Sequence, residues 1–405
     1  MQPQRKNRYR KIKDNIRSLF MNNEYTKWVA CWGTATSIAD QTLARYAKDI
    51  TLRYPIPVCF NGNKLRFRFS NLTGTEPVSF KAFVAKSTGD KTIDVSTSKT
   101  ISLAGKEEIV LEPGIEKDSD ELSFDVVAGE KISVSIYLEN CTQMNAGTLV
   151  TGPLSKGFYS YGNEAENEEL NVDMTRNTNW YYFLNTVEVF TEEKNHALIC
   201  YGDSITAQSW PDYLAIRAWN EGYRDVAIIR RAVCGTRILR QYDCITYAAY
   251  GLKGATRFPI EVKAAGADTV LIQHGINDII HPVGTDVNIF RPWSDMPTLE
   301  DLTEGYTQLY IEHAKNLGMK VWGGTLVPIY NWRTYADFRE NLKNEFNDWL
   351  RERAPLDGCV DFDLAVRDEE YKERFKEGFD SGDHLHPSEI AYKAMAEAVP
   401  VELLK

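Results

Sequence analysis

A change of hydrophobic period near residue 196 constrains this chain more than any other feature. Upstream, apolar residues alternate along short runs at 64–69, 79–84, 108–111, 122–126 and 131–138, with Asn61-Gly62, Gly89-Asp90 and Gly129 beside them. A period of two broken by turn residues predicts antiparallel strands, and many in series predict a β-sandwich, jelly-roll-like in form. Residues 139–178 are polar, with Gly147, Gly152, Gly157, Gly162 and an acidic run at 164–169, and read as a long functional or mobile loop before an aromatic strand at 180–183. Downstream the pattern becomes strand 197–200, helix 211–220, strand 226–229, strand 269–272, helix 302–316, strand 320–323, helix 338–353, strand 360–362 and helix 388–404. Strands alternating with helices predict an α/β domain whose parallel sheet is covered on both faces.

A chain of 405 residues exceeds one ordinary core, which agrees with two units meeting at that change. The expected division is a basic arm or short helix at 1–27, a β-sandwich at 28–195 and an α/β domain at 196–405. The arm is read from Arg5, Lys6, Arg8, Arg10, Lys11 and Lys13, with Ile12, Ile16, Leu19 and Phe20 at helical spacing. The net charge of −10 disfavours nucleic acid as a partner. The longest apolar runs are far too short for a membrane span, and the first thirty residues lack a signal-peptide core. The expected location is cytoplasmic. Seven scattered cysteines, odd in number and without paired metal spacing, predict free thiols, no disulfide and no structural zinc.

In a parallel sheet, reactive groups gather at the carboxyl ends of the strands. The first strand runs into Gly202-Asp203-Ser204, where a glycine turn ahead of a helix presents a serine hydroxyl among backbone N–H groups. Taken alone, Ser204 is equally an ordinary helix cap. A serine nucleophile needs a base, and six histidines are available: 196, 274, 281, 313, 384 and 386. His196 and His313 read as structural or exposed, His274 as part of a strand end and His281 as a loop residue. Asp383 and His386 lie three apart before the last helix, so the carboxylate can hold one imidazole nitrogen while the other faces Ser204. The rival reading of that turn is a metal site built from Asp380, Asp383, His384 and His386. No distant ligand cluster accompanies it, and the expected metal is none. Three donors suit an oxyanion: the backbone N–H groups of Ser204 and Gly235, and the side-chain amide of Asn277. Gly275 and Asp278 read as structural supports of that loop.

Gly202-Asp203-Ser204, Gly235, Gly275-x-Asn277-Asp278 and Asp383-x-x-His386, in that order, resemble the four sequence blocks of the SGNH (GDSL) hydrolase family. The resemblance spans 197–405. It implies a three-layer α/β/α, flavodoxin-like fold and esterase chemistry without a cofactor, with Ser204, Gly235, Asn277 and His386 in the family's four roles and Asp383 completing the triad. Gly-x-Ser-x-Gly, the mark of the α/β-hydrolases, is absent. The stretch Gly323-Gly324-Thr325-Leu326-Val327-Pro328, the helix with Arg339, Asn347 and Trp349, and Asp-His-Leu-His-Pro are similar to members that resemble acetyl xylan esterases. So is the amino-terminal region in Trp28, Trp32-Gly33, 65–71 and Ser119-Asp120. The second block departs from relatives that carry Asn-x-Gly-x-x-Gly, reading Arg231-Ala232-Val233-Cys234-Gly235, so only Gly235 carries over.

The resulting expectation is a serine esterase that removes acetyl groups from a small-molecule or oligosaccharide substrate. Trp293 and Trp332 are candidates to stack on a sugar, against the alternative of buried packing, and Arg237 is a further candidate contact. The alternatives are a lipase, thioesterase or lysophospholipase of the same family, and a non-catalytic carbohydrate-binding protein.

Overall fold

The computed structural model describes residues 24–38, 45–171, 173–242 and 250–405. The basic and apolar residues read as an arm at 5–20 lie outside them. Residues 25–27, assigned to that arm, instead open the strand Tyr25–Gly33.

Five parallel strands form one sheet in the order Val226–Ala232, His196–Gly202, Ala267–Gln273, Lys320–Gly324, Gly358–Val360. This is the flavodoxin-like order 2-1-3-4-5. Leu198, Ile199, Cys200, Val270, Leu271 and Ile272 are all fully buried, because helices cover the sheet and leave no solvent face. The helices form two groups. Trp210–Glu221 packs on Glu389–Ala398, and Leu299–Tyr306 packs on Asp337–Glu352.

The observed elements differ from expectation where proline and buried polar groups decide. The helix Gly254–Glu261 carries Pro259 in its interior, which hides it from a periodicity reading. Asp361 ends the last strand early: its side chain accepts from the Leu364 N–H and caps a short helix. The final helix stops at Ala398, just before Pro400, and a 3-10 turn Val401–Leu404 follows.

The amino-terminal region is largely antiparallel. One sheet joins Tyr25–Gly33, Leu184–Glu192 and Gly62–Ser70; another centres on Ile50–Pro57, Lys131–Leu138 and Val78–Ser87. Their apolar faces meet where the Phe69 and Phe80 rings lie 5.3 Å apart. Ile50–Pro57 escapes the sequence reading because it is buried along both faces and does not alternate. The 139–178 stretch is not a structureless loop, since Gly157–Tyr161 pairs with Ile50–Pro57 and extends its sheet.

The two regions share one continuous hydrophobic core. Tyr25–Gly33 lies against the Val226–Ala232 edge of the parallel sheet, where a Cβ on Gly33 would come within 2.9 Å of the Ile229 side chain. The Ala30 N–H donates to the Ala265 carbonyl at 2.8 Å. Among the described residues, no helix is long and apolar enough to cross a membrane.

Candidate active site

Parallel register sets Gly202 opposite Ala232 on one side and Gln273 on the other, so three strand ends stop at one edge of the sheet. A Cβ on Gly202 would lie 2.4 Å from the Gln273 carbonyl oxygen, so the sharp exit toward Ser204 requires glycine. Ser204 opens the helical turn Ser204–Ala207, capped by the Asp203 carboxylate, which accepts from the Ile205 N–H at 3.1 Å. Burial pushes the Asp203 carboxyl up to about 7, against the opposing pull of that N–H and of His386.

Ser204 Oγ lies 2.8 Å from His386 Nε2, and His386 Nδ1 lies 2.6 Å from Asp383 Oδ2. The carboxylate fixes the tautomer with the proton on Nδ1 and leaves Nε2 free to accept from the serine hydroxyl. The turn itself holds Asp383. Its Oδ1 accepts from the Leu385 and His386 N–H groups at 3.0 and 2.8 Å, and from Ser381 Oγ at 3.2 Å. Burial alone would raise its pKa, but the imidazole and these N–H groups hold the carboxyl well below the usual carboxylate range.

The last helix fixes the turn. Ser388 caps it, and Glu389 accepts from Ser209 Oγ and the Tyr213 hydroxyl at 2.7 Å each. Asp380 and His384 form a second carboxylate–imidazole pair, 2.6 Å apart. Among the described residues, no group of three or more His, Cys, Asp or Glu side chains is arranged to hold a metal ion.

Three of the other histidines are engaged elsewhere. His274 is fully buried between Thr236 and Tyr310, where desolvation lowers its pKa to about 3. His281 is buried against Tyr242, and His196 faces Asp268.

Gly235 has φ +74°, in the left-handed region, and its N–H has no acceptor among the described residues. The Ser204 N–H is one of the amides that a helix start leaves without a helical partner. Asn277 is buried, and its Nδ2 donates one hydrogen to the Thr236 carbonyl at 3.1 Å, leaving the other available. Asp278 braces the neighbouring loop by accepting from the Ile238 and Leu239 N–H groups at 2.7 and 3.1 Å. Burial raises its carboxyl to about 6.

Residues 200–394 match the model of the GDSL-like lipase/acylhydrolase family. Solved structures similar to the chain include an α/β hydrolase enzyme from the metagenome of Lake Arreo, Spain, at 18% identity and a TM-score of 0.39, covering 52% of this chain and 94% of that one. An acetylxylan esterase from Geobacillus stearothermophilus is 15% identical, with a TM-score of 0.38 and coverage of 52% and 96%. A member of the lipolytic protein G-D-S-L family from Veillonella parvula is 16% identical, with a TM-score of 0.31 and coverage of 50% and 95%. No curated protein matches the chain.

Beyond the GDSL blocks, the expected substrate contacts divide. Trp293 is 49% exposed, beside Phe338 and with the Arg339 guanidinium 5.4 Å from its ring. Trp332 is partly buried against the core, and its indole N–H has no partner among the described residues. Arg237 is 1% exposed, ion-paired to Asp295 at 3.0 Å and stacked on Tyr242. That pair ties Arg237 to the segment carrying Asp295, while its Nε and Nη2 have no partner among the described residues.

Sequence reasoning misses Arg257, whose Nη2 donates to the Gly202 carbonyl at 3.0 Å, and Tyr250, whose ring lies over Gly235. It also misses an apolar cavity of about 390 Å³ between Trp32, Val58, Leu154 and Trp219, which Ser204 does not line. No local pattern marks any of these, because their partners come from distant parts of the chain.

Proposed function

We propose that this protein is a serine esterase that removes acetyl groups from carbohydrates, with a small oligosaccharide as substrate. The observation that carries the reading is the hydrogen-bonded series Ser204–His386–Asp383. His386 Nε2 takes the hydroxyl proton as Ser204 Oγ attacks the ester carbonyl, and the imidazolium is stabilised by the Asp383 carboxylate. The N–H groups of Ser204 and Gly235 and the amide of Asn277 receive the oxyanion. His386 returns the proton to the sugar oxygen as the C–O bond breaks, leaving acetyl on Ser204. Water, deprotonated by the same imidazole, then releases acetate and restores the serine. No cofactor enters these steps. Exposed Trp293 supports a sugar-stacking contact, since an aromatic face suits the C–H surface of a pyranose.

The test is acetate release from acetylated xylo-, manno- and cello-oligosaccharides, alongside p-nitrophenyl acetate, with Ser204→Ala and a chelator as controls. Release that survives chelation and vanishes with Ser204→Ala supports the reading. An inert wild type overturns it and favours the non-catalytic binding protein.

One observation favours a second reading: Val287, Ile289 and Phe290 stand 42–69% exposed in the segment after Asn277. Such a surface suits a longer apolar acyl group, as a lipase or thioesterase would require. Rates that rise from acetyl to octanoyl esters would favour it, and a steep fall would exclude it.

A further inference from the structure

The amino-terminal region reaches the reactive edge through a buried polar relay. Arg257 Nη2 donates to the Gly202 carbonyl at 3.0 Å, and the same nitrogen lies 3.4 Å from Thr236 Oγ1. Gly202 and Thr236 flank the two groups that matter: the peptide leading to Ser204 and the one following the Gly235 donor. Arg257 Nη1 is held by Glu261 Oε2 at 2.6 Å, one helical turn away. Glu261 Oε1 accepts from the backbone N–H of Thr36, 225 residues upstream.

A second arginine closes the relay from the other side. Arg231, 1% exposed, donates through Nε to the Glu261 carbonyl at 3.1 Å and through Nη1 to the Thr34 carbonyl and to both oxygens of Asn185. Its Nη2 reaches Thr186 Oγ1 at 2.7 Å. Asn185 Nδ2 in turn donates to the Thr34 carbonyl and to Thr36 Oγ1 at 3.1 and 2.8 Å. The 34–37 segment continues to Gly251, where a Cβ would come within 2.6 Å of Ser37 Oγ and 3.4 Å of the Val233 side chain in the second block.

We infer that Asn185 and the 34–37 segment are positioning residues for ester hydrolysis, acting through Arg231, Glu261 and Arg257 on the peptides that carry Ser204 and Gly235. The inference rests on the esterase reading above. Buried guanidinium and carboxylate groups must be bonded on nearly every side, so each tolerates only a narrow range of positions. A donor anchored at both ends transmits that narrowness to the Gly202 carbonyl, and hence to the direction in which Ser204 leaves the strand. Misplacing a reacting group by about 1 Å can cost about 100-fold in rate. On this view the antiparallel region is part of the reactive centre's frame rather than an attached module.

The experiment uses the full chain and three variants: Asn185→Ala, Glu261→Gln and Glu261→Ala. Two readouts are taken, steady-state hydrolysis of p-nitrophenyl acetate and the rate at which an organophosphonate labels Ser204, with circular dichroism to confirm folding. Asn185→Ala, remote from Ser204, is expected to lower kcat by about 10-fold and to leave KM within about twofold, since only transition-state alignment is lost. Glu261→Ala is expected to lose about 100-fold. Glu261→Gln keeps one acceptor but turns its NH2 toward either the Thr36 N–H or Arg257 Nη1, both donors, and is expected to lose about 10-fold in kcat.

Labelling of Ser204 should slow in parallel with kcat. Folded Asn185→Ala and Glu261→Gln with wild-type kcat and labelling, or a loss seen only in KM, overturns the positioning role even if Glu261→Ala fails to fold. A wild type that hydrolyses no ester refutes the esterase reading instead, and the labelling rates then decide the relay independently.

Discussion

Replacing Asp383 by asparagine should damage catalysis more than replacing it by alanine, although asparagine is the closer mimic. In the native turn, Oδ1 already accepts from Leu385 N, His386 N and Ser381 Oγ, while Oδ2 faces His386 Nδ1 at 2.6 Å. An asparagine must keep its carbonyl oxygen on those donors, so its NH2 group points at Nδ1. The imidazole then has to accept there and carry its proton on Nε2, facing Ser204 Oγ with a donor where a base is needed. The corresponding amide in a serine protease triad costs about 10,000-fold, and a loss of about 1,000- to 10,000-fold in kcat is expected here, or about 4–5.5 kcal/mol.

Alanine removes the three bonds that Oδ1 accepts as well, but only the charge-assisted bond to Nδ1, about 1.5–3 kcal/mol, acts directly on the base, and no amide is left to impose the wrong tautomer. The Asp383 side chain is 42% exposed, so water replaces part of it and the lower figure applies. That corresponds to about 10-fold in kcat. The assay is p-nitrophenyl acetate hydrolysis at neutral pH, where the depressed pKa keeps the native Asp383 fully ionised, with thermal melts to show that both variants fold. Activity of Asp383→Asn equal to or above that of Asp383→Ala would refute the tautomer argument.

Three further outcomes follow from the same geometry. Asn277→Ala should cost about 100- to 1,000-fold in kcat with little change in KM, measured on the same ester. Gly235→Ala places a Cβ 2.3 Å from the Tyr250 ring at φ +74°, so kcat should collapse even where a melt shows the fold retained. Asp203, raised to about 7 when folded against about 4 unfolded, contributes stability that is full below about pH 4 and lost as pH rises toward 7. Denaturation midpoints compared across pH 4–7 should therefore fall less steeply for Asp203→Asn than for wild type; parallel curves would count against the raised value.

The blocks around Ser204, Gly235, Asn277 and Asp383-x-x-His386 are legible because each depends on its immediate neighbours: a glycine at a strand end, an amide in the first turn of a helix, a carboxylate three residues from an imidazole. The burial of Arg237 is not legible, since the sequence does not show Asp295 and Tyr242 closing around it. Arg231 and Arg257 are unreadable for the same reason on a larger scale. An arginine in a strand or helix looks like a surface residue until its carbonyl and carboxylate partners, up to 197 positions away, are brought to it. The helix Gly254–Glu261 and the strand Ile50–Pro57 are lost to internal proline and to two-sided burial, which remove the periodic signal itself.

The attachment of the last helix has a consequence for how activity is lost. The base arrives 182 residues after the nucleophile with its carboxylate just ahead of it, and both are held there by the clasp of Glu389 on Ser209 and Tyr213, and of Arg217 on the Ala396, Glu397 and Val399 carbonyls. None of the five sheet strands depends on that clasp for its pairing. Warming or mild denaturant that releases the helix alone would carry His386 away from Ser204 and leave a paired, compact and inert molecule. Loss of turnover should then precede loss of the folded signal, and cooling should restore it without refolding the sheet.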